Sequence, residues 1–176
     1  MKSIFVRLSA LAGLMLLLTA CPYQSRVPIS QPTENVNKKI MDTWATTSEI
    51  EYDNPTYIEI TKAGKSKVQY HVIEYTYSSS DSAYNSATHT MHTSTVGEYT
   101  FLNLQENSEG DYYIYRLDYN EDLDPDAFIL YEVTDNVDET FNSSADLKSF
   151  VEKNMNTSFF YNKDEKKYVK YKAPKK

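Results

Sequence analysis

Apolar and polar positions alternate with a period near two along most of this chain, the period of a strand. In residues 67–77, Val68, Tyr70 and Val72 take one side, and Ile73, Tyr75 and Tyr77 take the other. In residues 111–119, Tyr113, Tyr115, Leu117 and Tyr119 oppose Tyr112, Ile114, Arg116 and Asp118. Both sides are partly apolar, so alternation alone does not say which side meets a core. Residues 43–52, 56–62, 87–96, 98–105 and 127–134 also read as strands. Turn chemistry separates them: Asp53-Asn54-Pro55, Ala63-Gly64-Lys65, the polar run 78–82, Gly97, and 106–110 with Gly110.

Three stretches break the pattern. Residues 8–18 form an apolar run interrupted only by Ser9. Residues 22–34 hold Pro22, Pro28 and Pro32 and have no period, which predicts a semi-extended tether. Near the end, Leu147, Phe150, Val151 and Met155 recur at helical spacing behind Ser143 and Asp146, a capping-box-like pair. This predicts a helix over 144–155. Residues 35–41 read as a short helical turn, and 159–161 with 167–171 as one returning strand. About eight short strands and one late helix predict an all-β, mainly antiparallel domain, either an up-and-down barrel or a two-sheet β-sandwich.

The N-terminus is decided by one residue. Cys21 is the only cysteine. It follows a basic start (Lys2, Arg7), the apolar run, and Leu18-Thr19-Ala20. The eleven apolar-run residues are too few for a spanning helix, which needs about 20. The order of charged, apolar and small residues is that of a signal segment. Leu18-Thr19-Ala20-Cys21 resembles the lipobox of bacterial lipoproteins. The resemblance implies a diacylglycerol on the Cys21 thiol, removal of residues 1–20, and attachment to a bilayer in the cell envelope. Pro22, where an aspartate would hold enteric-type lipoproteins at the inner membrane, leans the expectation towards the outer membrane. The chain then divides into a leader (1–20), an acylated cysteine with its tether (21–34), and one domain (35–176).

Removal of the leader lowers the 18 basic residues to 16 against 25 acidic ones, a formal charge of −9. That balance argues against nucleic acid, which needs a basic footprint, and leaves anchoring to the acyl chains. No disulfide can form within the chain. A domain of this size buries about 70% of its unfolded surface, and its core must hold it together. Tyrosine is abundant, 16 residues in all. Its ring packs like a hydrocarbon while its hydroxyl seeks a partner.

The order of parts resembles the lipocalin-like (calycin) barrels found in small bacterial lipoproteins. The piece that carries the likeness is Asp42-Thr43-Trp44, in the place of the family's Gly-x-Trp, with Asp42 where the glycine would stand. The resemblance implies a barrel whose base Trp44 closes. Arg116 is the one candidate for the family's arginine packed over that tryptophan. Such a barrel is just wide enough for one small ligand. Trp44, Tyr70, Tyr113, Tyr115 and Tyr119 are the candidate ligand-binding residues.

Other chemistry is thinner. Asp118, Asn120 and Asp122 alternate as calcium ligands do in a binding loop. Leu123 then stands where that loop needs glycine, and Ile129 where it needs its bidentate acid. The stretch reads first as a solvated loop and second as a metal site. His89 and His92, three apart in a strand, point to opposite faces and do not share a metal. There is no nucleophile elbow and no glycine-rich phosphate loop. The expectation is a non-enzymatic, cofactor-free lipoprotein that binds a small amphipathic molecule. A protein-interaction or inhibitor lipoprotein with a filled core, meeting an envelope protein partner, is the alternative. A glycan-directed hydrolase comes third.

Overall fold

The structure, a computed structural model, describes residues 23–106, 109–119, 124–134 and 137–173. The leader, Cys21, Asn120 and Asp122 lie outside the described residues. Among the described residues nine strands run in chain order: β1 (Gln24–Ser25), β2 (Thr43–Thr46), β3 (Tyr57–Lys62), β4 (Tyr70–Ser78), β5 (Ala83–Val96), β6 (Tyr99–Glu106), β7 (Tyr112–Asp118), β8 (Ala127–Glu132) and β9 (Lys166–Lys170). Among the described residues there is one α-helix, α1 (Ser144–Asn154), between β8 and β9.

From β2 to β9 each strand pairs antiparallel with the next, and β9 returns to pair with β2 through Trp44↔Lys170 and Ala45↔Val169. The eight strands therefore close into an up-and-down barrel with no free edge, and the sandwich alternative is set aside. The short β1 is extra. It joins the edge of β7 beyond the point where β8 leaves it, with Gln24↔Tyr113 and Ser25↔Tyr112.

One end of the barrel carries the β2–β3, β4–β5 and β6–β7 connections, and the other carries β3–β4, β5–β6 and β7–β8. The second end is the floor. Trp44 is fully buried there, its indole N–H donating to Ile40 O at 2.9 Å. Ile40 comes from a 3-10 turn, Lys38–Ile40, capped by the Asn37 side chain. Phe128 packs edge-on to Trp44 at 4.7 Å. Arg116 does not pack over Trp44. It lies outside the barrel among the rings of Tyr99, Tyr131 and Tyr161, 4.1–5.0 Å from their centres. Arg116 has the parity of the outward residue Ile114, so it cannot reach the interior. The cation nearest the indole is Lys170, at 6.0 Å.

The proline-bearing stretch, expected as a semi-extended tether, is over residues 23–34 a strap bound to the outer wall. Tyr23, Ser25 and Ile29 are buried. Ile29 N–H donates to Asn103 Oδ1 at 2.8 Å, and Glu34 accepts from Thr95 N–H at 2.6 Å. The prolines that remove the strand signal also remove backbone donors, which lets the segment lie on a wall without a full hydrogen-bond ladder. Helix α1 covers the same wall. Ser143 caps it, accepting from Asp146 N–H, and its buried residues are Leu147 and Val151. These meet Val96, Phe101, Ile114, Val133 and Phe160 in a core outside the barrel. Gly97, at φ +59, makes the two-residue β5–β6 turn, and Met155 approaches so closely that a Cβ there would meet its methyl at 3.0 Å.

Three differences from the expected element bounds have a visible cause. The first barrel strand stops at Thr46, because Glu49 N–H and Ile50 N–H turn back onto Thr46 O. The β5 strand begins at Ala83 instead of residue 87, since Tyr84 packs against Tyr57 and Tyr77 and draws residues 83–86 into the sheet. Residues 158–160 form a 3-10 turn, leaving only Tyr161 bridged to Val133.

Candidate functional site

Residues two apart on a strand share a face, and on each barrel strand one such set looks inward. Ile60, Val72, Met91 and Leu102, with Trp44 and Tyr70 below, form an inner core near the floor. Towards the other end the same faces separate and leave a cavity of about 350 Å³. Its wall is mostly apolar, with Ile58, Leu104, Phe128 and Leu130 joined by Tyr113, Tyr115 and Tyr168. Its mouth is polar: Glu74, His89, Glu106 and Lys166. The rim charges fall on the same alternating set as the wall. Val72, His89 and Glu106 stand side by side on β4, β5 and β6.

The polar groups are unevenly satisfied. Lys166 Nζ lies 3.3 Å from the buried Glu132 carboxylate. Tyr113 Oη accepts from Gln24 Nε2 at 2.8 Å, so the strap touches the mouth. Burial, with Glu132 nearby, pushes the Tyr115 hydroxyl far above the ordinary tyrosine range and that of Tyr168 up to about 12. Both are therefore neutral hydroxyls at any ordinary pH. His89 Nε2 stands 3.9 Å from Glu74 Oε2, and His89 Nδ1 is buried with no hydrogen-bond partner.

Neither the family models, nor the curated proteins, nor the solved structures match this chain. The calycin likeness therefore stands on the barrel alone: eight antiparallel strands, a tryptophan at the base, and a helix near the C-terminus.

The residues expected to bind a ligand separate by depth. Tyr113 and Tyr115 line the cavity. Trp44 and Tyr70 are in the floor, Tyr70 Oη accepting from Asn37 N–H at 2.6 Å. Tyr119 has inward parity but lies past the floor end of β7, where its hydroxyl donates to Pro125 O at 3.4 Å. Asp118 is exposed at that same end, and the cavity is at the other. Among the described residues no group of three histidines, cysteines or acids could hold a metal ion. His89 and His92 do face opposite ways. His92 lies outside, its Nε2 2.8 Å from Ser30 O. Sequence reasoning missed Glu74, Glu106, Lys166 and Tyr168 at the cavity. The available signal was Tyr70-x-Val72-x-Glu74, an inward apolar set that ends on a charge.

Proposed function

We propose that the protein is a lipid-anchored envelope protein that binds one small amphipathic molecule and does no chemistry on it. The observation that carries this reading is the form of the cavity: apolar walls, a sealed floor and a polar mouth at one end of a closed barrel. Pockets for small molecules run from about 300 to 1,000 Å³ and combine apolar walls with a few polar groups. A space of about 350 Å³ suits a single short chain or a small ring system and is too small for a two-chain lipid. The apolar end goes in first because its transfer from water drives the binding, and the head stays at the rim. A filled interior would have favoured the protein-interaction reading.

The membrane attachment rests on the lipobox-like residues. Cys21 precedes the buried Tyr23 by two residues, so extended chain spans at most about 7 Å between them. An acylated Cys21 would therefore hold the barrel against the bilayer, not lift it away. Among the described residues no helix is long and apolar enough to cross a membrane.

The test for binding is a titration of the mature chain carrying Cys21→Ser with a neutral solvatochromic naphthyl probe. One saturable site is expected, and Leu104→Trp, which fills the cavity, should abolish it while the far-UV circular dichroism is kept. Absence of binding, or equal binding by the filled variant, overturns the reading. Mass spectrometry of protein extracted from its own host tests the anchor. An unmodified Cys21, or a retained Met1, removes it.

A further inference from the structure

We propose that the edge of β5 at residues 83–88 is a docking site for an extended segment of another protein, which adds to the sheet as a further strand and carries basic residues at its ends. The inference goes beyond the cavity and does not depend on it. Around the barrel each strand is paired on both sides, but β4 and β5 run on past the rim as a two-stranded ribbon. They pair from Tyr70↔Met91 to Ser78↔Ala83, whereas β6 pairs with β5 only from Val96↔Tyr99 to His89↔Glu106. β6 stops there because Glu109 N–H and Gly110 N–H turn back onto Glu106 O, at 3.4 and 3.0 Å. Among the described residues, Ala83–Thr88 therefore has β4 on one side and no strand on the other.

In an antiparallel ladder every second residue turns its N–H and C=O away from its partner strand. Along 83–88 those groups form a row about 20 Å long, the length of an average strand. All of these residues are exposed except Tyr84, which is half-buried. Folded proteins ordinarily blunt such an edge with a proline, a charge, a bulge or a cover. The run Ala83-Tyr84-Asn85-Ser86-Ala87-Thr88 has no proline and no charge, and its register with β4 is continuous. It is also held in shape. Tyr84 packs edge-on against Tyr57 and Tyr77 at 5.3 and 5.4 Å, and its hydroxyl donates to Pro55 O at 3.2 Å. A template already ordered lowers the entropy cost of adding a strand.

Charge at the two ends selects the occupant. Asp81 stands at one end, and Glu106, Glu109 and Asp111 stand at the other, all exposed. Residues 78–88 and 106–111 contain no lysine, arginine or histidine. Two copies of this chain pairing antiparallel along this edge would set Asp81 of each towards Glu106 of the other, and like charges across strands destabilise the pair. A foreign strand with lysine or arginine on either side of about six uncharged residues meets opposite charge at both ends. Its main chain supplies the hydrogen bonds, and its flanks supply the selectivity.

The experiment reads amide hydrogen exchange by NMR on the mature Cys21→Ser chain, with a synthetic peptide of alternating threonine and valine between two pairs of lysines. At about 1 mM peptide, every second amide of 83–88 should exchange about tenfold more slowly, while the barrel amides keep their rates. The same peptide with glutamates in place of its lysines should protect those amides about threefold less or weaker still. A version with every core amide methylated, which has no donors left, should protect none. Asp81→Asn with Glu109→Gln and Asp111→Asn should remove most of the advantage of the lysine peptide. If the lysine peptide leaves these amides unprotected, or the lysine and glutamate peptides protect equally, the proposal falls. If the same amides become protected without peptide as protein concentration rises, with a dimer in sedimentation, the edge belongs to a second copy and the proposal falls as well.

Discussion

The wall built by β5, β6 and β7 buries apolar side chains on both faces, and the two faces end differently. Outward, Val96, Phe101 and Ile114 are covered by Tyr23 and Ile29 of the strap and by Leu147 and Val151 of α1. That layer leaves no space able to hold water. Inward, Met91, Leu102, Leu104 and Tyr115 border a cavity. Each strand supplies the same alternation to both sides. What differs is the partner. The outer face has a helix and a strap cut to fit it, whereas the inner face has only the opposite wall of the barrel. Unfilled apolar space forfeits packing contacts, so the inner face surrenders stability where the outer one gathers it. Departures from close packing concentrate at functional sites, and this one coincides with an unpaired buried imidazole nitrogen.

The difference can be broken by truncation. Leu147→Ala, in the packed outer layer, should cost about 3–5 kcal/mol, read as a fall in the urea midpoint at unchanged slope. Leu104→Ala, which only enlarges an existing space, should cost under about 2 kcal/mol. Equal losses would mean that the two faces are equally packed. The strap is the next test. Ile29→Ala should cost about 2–3 kcal/mol, because Ile29 is buried against the wall. A residue in a free tether would change stability by less than about 0.5 kcal/mol.

Protonation sharpens the comparison with smaller effects. Burial holds His92, on the outer face, below its usual 6.5. The folded protein therefore keeps it neutral while the unfolded chain takes a proton. Its contribution is complete above about pH 6.5 and is lost as pH falls through and below that value. His92→Gln should flatten this part of the acid limb in urea melts at stepped pH. On the inner face, Tyr115 and Tyr168 are raised above the usual 10.0. Their contribution is present below pH 10 and is lost as the unfolded chain ionises above it. Tyr115→Phe and Tyr168→Phe should make the alkaline loss shallower between about pH 10 and 12.

Local rules were legible where one segment settles its own conformation. Gly97 has a positive φ in a two-residue turn, Ser143 caps the helix it precedes, and Leu147, Val151 and Met155 share its stripe. Period-two alternation located the barrel strands and their count, and paired Tyr113 with Tyr115 on one face. Alternation assigns a face but no depth, so Tyr119 shared that parity and still fell at the opposite end from the cavity. The bounds of the first barrel strand failed because the backbone turn at Thr46 depends on hydrogen bonds that a tolerant polar run does not reveal.

By itself, the order of residues determined an all-antiparallel body with a late amphipathic helix, since those periods are properties of single segments. Closure, the choice of inner face, the binding of residues 23–34 and the meeting of Glu74, His89 and Glu106 were decided only by tertiary structure. Each depends on surfaces far apart in the chain. A strand apolar on both sides does not identify its interior until something else covers one of them.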